Sequence, residues 1–239
     1  KTLDDGTGII CLWNQIGNFA DIYAQKVDWD GNKLWETNGL IVTDDENDQT
    51  NFSFSMNDTQ TKALIVWEDF RNGQNFEIFG QLLNLENGSL SSEFVQFTSV
   101  VNDSIDNYMP TVENVTGDEF MVIWEDGRGY INDDPLLING VDLYGSGFKV
   151  GQGMTTDING VPICIAYHKQ QNLQITHYSG EEFFLDWVDY RSSGKEDLAN
   201  YYGRILSKAE LLSNEPKCFD CDIPTEFSLK PAYPNPFNG

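Results

Sequence analysis

A short apolar strand ending in tryptophan occurs four times in this chain. Ile9-Ile10-Cys11-Leu12-Trp13 returns as Ala63-Leu64-Ile65-Val66-Trp67, as Phe120-Met121-Val122-Ile123-Trp124 and as Phe183-Phe184-Leu185-Asp186-Trp187. The tryptophans lie 54, 57 and 63 residues apart (67 − 13, 124 − 67, 187 − 124). A recurring period of this size marks a repeat architecture, in which each unit buries its apolar face only against its neighbours.

The residues after each tryptophan recur as well. Trp67 is followed by Glu68-Asp69-Phe70-Arg71, Trp124 by Glu125-Asp126-Gly127-Arg128, and Trp187 by Val188-Asp189-Tyr190-Arg191. The pattern is Trp-x-Asp-x-Arg. The first copy, Trp13-Asn14-Gln15-Ile16-Gly17, lacks both Asp and Arg. A second strand follows in each unit: Asp21-Ile22-Tyr23-Ala24-Gln25, Glu77-Ile78-Phe79-Gly80-Gln81, Asp142-Leu143-Tyr144-Gly145-Ser146 and Asn200-Tyr201-Tyr202-Gly203-Arg204. Its apolar residues alternate with polar or small ones, as a half-buried strand requires. Asp28-Trp29-Asp30-Gly31-Asn32 and Leu85-Glu86-Asn87-Gly88 then read as turns in which glycine supplies positive φ. Further short strands are expected at Asn51–Ser55, Thr111–Asn114 and Leu173–Tyr178.

About four antiparallel strands per unit is the size of one propeller blade. The expected fold is therefore all-β: a β-propeller of four to five blades, open or partial because unit one begins too late to hold its own first strand. The units run over about 1–48, 49–105, 106–170 and 171–213, with a linker and tail over 214–239. No segment keeps a helical period, so helix should be scarce. Unit three carries an insertion, Tyr130 to Gly140, which breaks the repeat and is the expected place for added specificity.

Charge narrows the partners. Thirty-eight acidic side chains against 14 basic ones give −24, which disfavours nucleic acid and anionic membrane. No apolar run reaches the roughly 18–20 residues that span a bilayer. The acidic loops raise Ca²⁺ as a cofactor, since it takes oxygen ligands. Candidate ligands are Asp28, Asp30, Asp44, Asp45 and Asp48. Asp28-x-Asp30-Gly31-Asn32 has the spacing of the first half of a Ca²⁺ loop, but the position that needs Glu is Gly39, so a hairpin turn is the stronger reading.

The Trp-x-Asp-x-Arg residues Trp13, Trp67, Asp69, Arg71, Trp124, Asp126, Arg128, Trp187, Asp189 and Arg191 read as structural, because a device used once per unit serves the repeat itself. Each Asp should pair with the Arg two residues on, in bidentate geometry. Tyr130, Asp133, Asp134 and Tyr190 are loop residues able to meet a sugar or peptide. His168 and His177 are the two histidines, and neither accompanies a nucleophile elbow or a metalloprotease helix. A carboxylate pair for glycoside cleavage is compatible with the abundant Asp and Glu. Cys11 and Cys164 sit in expected strands of different units, and their pairing stays open.

The most specific string is at the end. Phe227-Ser228-Leu229-Lys230-Pro231-Ala232-Tyr233-Pro234-Asn235-Pro236-Phe237-Asn238-Gly239 resembles the opening of the C-terminal sorting domain of the bacterial type IX secretion pathway, whose hallmark is Tyr-Pro-Asn-Pro-Phe-Asn. The repeats resemble a family of secreted bacterial proteins with Trp-Glu-Asp-x-Arg and Asp-Ile-Tyr-Ala-Gln units, over roughly residues 8 to 212. These resemblances imply a propeller-like fold, contact of the tail with the secretion machinery, and an extracellular or outer-surface location. In an exported protein a local Cys218–Cys221 disulfide is then expected. The leading functional expectation is a non-catalytic module that binds an extracellular glycan or protein, or scaffolds. The alternatives are a carbohydrate-active enzyme with paired carboxylates and a structural subunit of a surface assembly.

Overall fold

The computed structural model describes residues 1–99, 105–128, 140–166, 168–191 and 199–213. Unit one holds β1 (Ile9–Ile16), β2 (Ala20–Val27) and β3 (Leu40–Thr43). Unit two holds β4 (Gln49–Met56), β5 (Lys62–Asp69), β6 (Glu77–Asn84) and β7 (Val95–Gln96). Unit three holds β8 (Asn107–Thr116), β9 (Glu119–Asp126), β10 (Asp142–Lys149), β11 (Gly153–Met154) and β12 (Val161–Cys164). Unit four holds β13 (Gln170–Ser179), β14 (Glu182–Asp189) and β15 (Asn200–Ser207), followed by the short helix α1 (Lys208–Leu212). Each unit is its own antiparallel sheet, with strands paired in chain order from the inner strand outward.

The protein is a β-propeller. Its sheets are joined by side chains packed between them, and three apolar clusters do this work. Ile10, Ile22 and Val42 of unit one meet Ile65 and Trp67 of unit two. Leu64, Val66 and Ile78 of unit two meet Phe120, Val122 and Trp124 of unit three. Met121, Ile123 and Leu143 of unit three meet Phe183, Leu185 and Trp187 of unit four. The central strands β5 and β9 are thus apolar on both faces, with odd and even residues serving opposite neighbours. Trp67, Trp124 and Trp187 are fully buried. At roughly 25 cal/mol per Å² and 150–250 Å² per ring, each contributes about 4–6 kcal/mol of burial. No such cluster joins the fourth sheet to the first among the described residues.

Two strands are shorter or fewer than the four-per-unit expectation. Unit one keeps only a stub of an inner strand, where Thr2 bridges Ile9 and the Ile10 N–H donates to the Lys1 carbonyl (2.8 Å). Unit four has three strands among the described residues. Trp13 is half-buried and stacks on Tyr23 (5.8 Å), because no sheet among the described residues covers that face of unit one. Cys11 is exposed on β1 and Cys164 is buried on β12, and both are free thiols, so they do not pair. The helix is held by a capping box between Ser207 and Glu210.

Candidate functional site

The inner strands β4, β8 and β13 stand side by side around the axis, and two cavities open along them. The smaller, about 280 Å³, lies near their starts and is lined by Asn51–Ser53, Met109–Thr111 and Asn172–Gln174. The larger, about 510 Å³, lies at their far ends. All four units line it, through residues that include Lys1, Asp58, Glu113, Asn114, His177 and Lys208.

The smaller cavity is shaped by three bulges. Asn51, Met109 and Asn172 occupy equivalent positions and all have positive φ (46°, 47° and 57°). The strand register shifts at each of them. Left-handed backbone in a non-glycine residue costs energy and needs support. Two glutamates give it. Glu68 accepts the Met109 N–H (2.7 Å) and the Asn51 side-chain amide (2.8 Å), with the Thr50 hydroxyl at 3.3 Å. Glu125 accepts the Asn172 N–H (2.7 Å). Each glutamate therefore clasps the inner strand of the next unit. Both carboxyls are buried, and burial raises them above the ordinary range against the pull of these donors. The Glu68 carboxylate raises Glu125 further.

Two serines of β4 tie it to β8 between the two cavities. Ser53 Oγ accepts the Val112 N–H (3.3 Å), and Ser55 Oγ accepts the Asn114 N–H (3.0 Å). Glu113 projects from β8 into the larger cavity. Burial raises its carboxyl, while Lys1, Ser55 and His177 pull it back. His177 Nε2 lies 2.7 Å from the Gly180 carbonyl oxygen. The arrangement offers amide, hydroxyl, ammonium and carboxyl groups along one channel.

The Trp-x-Asp-x-Arg residues sit outside both cavities. Trp67 Nε1 donates to Asp69 (2.7 Å), and Arg71 grips the same carboxylate through its backbone N–H, Nε and a terminal nitrogen. Asp126 with Trp124 and Arg128, and Asp189 with Trp187 and Arg191, repeat this geometry. Each Arg then lies over an aromatic ring of its unit, Phe79, Tyr144 or Tyr202. A buried Asp is thereby neutralised and hydrogen-bonded at once.

Three of the acidic candidates have other partners, while Asp30 stands in the same turn as Asp28 and Asp44 in the loop after β3. Asp45 forms an ion pair with Arg71 (3.1 Å), joining unit one to unit two. Asp48 accepts the Ala20 N–H (2.9 Å). Asp28 accepts from the Asp30 and Asn32 N–H groups and the Asn32 amide, closing the turn on itself. Gly31 takes φ 84° there. Among the described residues, no group of three or more His, Cys, Asp or Glu is placed to hold a metal. Tyr190 is half-buried and lines none of the cavities described above; its N–H donates to the Lys169 carbonyl (3.1 Å). Tyr130, Asp133, Asp134, Cys218 and Cys221 lie outside the described residues.

Sequence reasoning missed Glu68, Glu125, Glu113 and Asp142 as individuals. Asp142 is buried opposite Asp126 in the β9–β10 register, and burial raises it to about 7. The available signal was the Glu between Trp and Asp in units two and three. It faces away from its neighbours in the strand, toward the next unit.

The chain matches no protein-family model and no curated protein sequence. Solved structures similar to it include an α-L-arabinanase of Penicillium chrysogenum complexed with arabinobiose (TM-score 0.46, 11% identity, 79% of this chain and 57% of that one). A second is an α-L-arabinofuranosidase of Fusarium graminearum with arabinobiose (TM-score 0.44, 12% identity, 80% and 58%). A third is an endo-arabinase from Bacteroides thetaiotaomicron (TM-score 0.47, 8% identity, 84% and 71%). The chain thus spans less than two thirds of the length of the first two.

Proposed function

We propose that this protein is an extracellular carbohydrate-binding propeller, and that the axial channel holds the glycan. The observation that carries this reading is the channel lining. Its larger cavity of about 510 Å³ is edged by amides, hydroxyls and both signs of charge from four sheets. Such a surface can meet the many donors and acceptors of a sugar chain, and concave sites on an axis are where ligands are enclosed. Met109 and Phe52 at the smaller cavity add apolar contact for a ring face.

Isothermal titration against a panel of neutral and acidic oligosaccharides tests this. Binding should weaken when Asn172, exposed at the smaller cavity, and His177, exposed at the larger, are changed to Ala. A panel with no binder, or binding indifferent to both changes, refutes the channel as the glycan site.

Cleavage of the bound chain is a second reading, favoured by Glu113. Its raised carboxyl in the larger cavity suits a general acid. Release of reducing ends by the native chain but not by Glu113→Gln would establish it. We further propose export through the type IX pathway, on the strength of Tyr233-Pro234-Asn235-Pro236-Phe237-Asn238. Fusing the tail with the sorting domain it resembles, in a type IX host, should carry the chain to the cell surface; retention in the periplasm would refute it.

A further inference from the structure

The three bulges that wall the smaller cavity take their shape from two carboxylates. Glu68 Oε1 accepts the Met109 N–H (2.7 Å), while its Oε2 accepts the Asn51 amide (2.8 Å) and the Thr50 hydroxyl (3.3 Å). Glu125 Oε1 accepts the Asn172 N–H (2.7 Å), and the Gln171 side chain bonds the same carboxyl. Asn51, Met109 and Asn172 are the left-handed residues, and all three line the cavity. Both oxygens of Glu68 thus face donors. A proton on either one turns an acceptor into a donor aimed at another donor.

The repeat places these carboxylates selectively. At the same position unit one has Asn14, whose amide donates to the Gln49 carbonyl (2.8 Å), and Gln49 does not line the cavity. Unit four has Val188. Glutamate stands in the two units that reach a cavity-lining bulge of the next unit. The charged groups that act on the pair are acidic: Asp106, from the loop before β8, on Glu68, and Glu68 on Glu125. Asp106 is itself held by the Phe76 N–H (2.9 Å) and the Tyr108 hydroxyl (2.7 Å). Burial, joined by these neighbours, raises both carboxyls, so proton uptake begins above the ordinary glutamate range. A raised folded value means that the proton binds the folded chain more tightly than the unfolded one. Uptake at these two groups therefore leaves the fold in place, and its effect falls on the cavity wall.

We propose that ionised Glu68 and Glu125 are positioning residues that hold the smaller cavity in its glycan-binding shape, and that protonating them in mild acid relaxes the bulges and releases the glycan. This rests on the reading that the channel binds a glycan. At neutral pH the two carboxylates pin the Met109 and Asn172 backbone. As pH falls, both N–H groups lose their acceptor, and left-handed backbone at non-glycine residues loses its support. The device is a local charge change read out as a change of site shape.

Amide proton shifts of the full chain, followed by heteronuclear NMR without ligand from pH 8 to pH 4, test the pinning. The Met109 and Asn172 amide protons should move upfield with midpoints above the ordinary glutamate range. Glu68→Gln should abolish the Met109 transition and Glu125→Gln the Asn172 transition, because glutamine does not titrate. Calorimetric titration with the tightest panel oligosaccharide that carries no titratable group tests the release. Its affinity for the native chain should fall about tenfold between pH 7 and pH 4, whereas the double variant should bind weakly at both. A purely structural role would lower affinity equally at both pH values and move neither amide with pH. Amides that stay in place, transitions that survive in the variants, or a native affinity unchanged in acid would each overturn the proposal. If nothing in the panel binds at either pH, the glycan reading fails by itself, and the amide transitions still decide the pinning.

Discussion

Asp142→Asn should stabilise this protein at alkaline pH and flatten its pH dependence. The carboxyl is 5% exposed, has one hydrogen bond among the described residues, a 3.3 Å contact from the Ala166 N–H, and lies near Asp126 and Asp189. Burial is the largest cause of its rise from 3.8 to about 7; Arg128 opposes it only in part. A carboxyl whose folded pKa lies above its unfolded one favours the fold below the unfolded value, and that advantage disappears as pH climbs through the folded value. The window is therefore pH 4 to 7. At 1.36 kcal/mol per pKa unit the ceiling is about 4 kcal/mol, and relaxation and water entry reduce it to about 2 kcal/mol. Asn keeps the oxygen that accepts from Ala166 and removes the charge. Urea unfolding at pH 5 and pH 8 of both proteins reads this group, because titrations not coupled to it cancel in the double difference. The expected result is a variant more stable than the native chain by about 2 kcal/mol at pH 8 and by about a third of that at pH 5, where the window is a third traversed. A variant that tracks the native chain across this range refutes the assigned burial.

Three further outcomes are expected. Glu68→Ala should cost about 2–4 kcal/mol in urea unfolding, since it orphans the Met109 N–H and the Asn51 amide and frees a strained bulge; a loss under about 0.5 kcal/mol would show that the clasp does not hold the two units together. In the native chain a thiol reagent should label Cys11 and spare Cys164, which is buried with its thiol pushed up to about 12; mapping the labelled peptide by mass decides it, and native-state labelling of Cys164 would contradict its burial. Millimolar Ca²⁺ should leave the melting temperature unchanged relative to chelator, because Asp28, Asp45 and Asp48 already serve a turn, an ion pair and a backbone N–H; a clear rise would mean these loops reorganise around the ion.

What was legible in the chain was local and periodic. The four Trp-ended strands, the alternation after them and the Asn/Asp-Gly turns each depend on residues near in sequence, and a repeat multiplies that signal. The Asp–Arg pair two residues apart was equally readable, because one turn brings the Arg and the Trp Nε1 to the same Asp carboxylate. The rest depends on neighbours supplied by other units. Glu68 and Asp69 are adjacent carboxylates with similar sequence surroundings, yet one points to its own Trp and Arg and the other to Met109 of the next unit. The larger cavity exists only because hairpins from four units converge, and Glu113 is raised by enclosure that no spacing encodes. The second repeated strand follows the same logic: Tyr201 stands where units one and two have Ile22 and Ile78, and only the tertiary structure decides that it is exposed where they face a core.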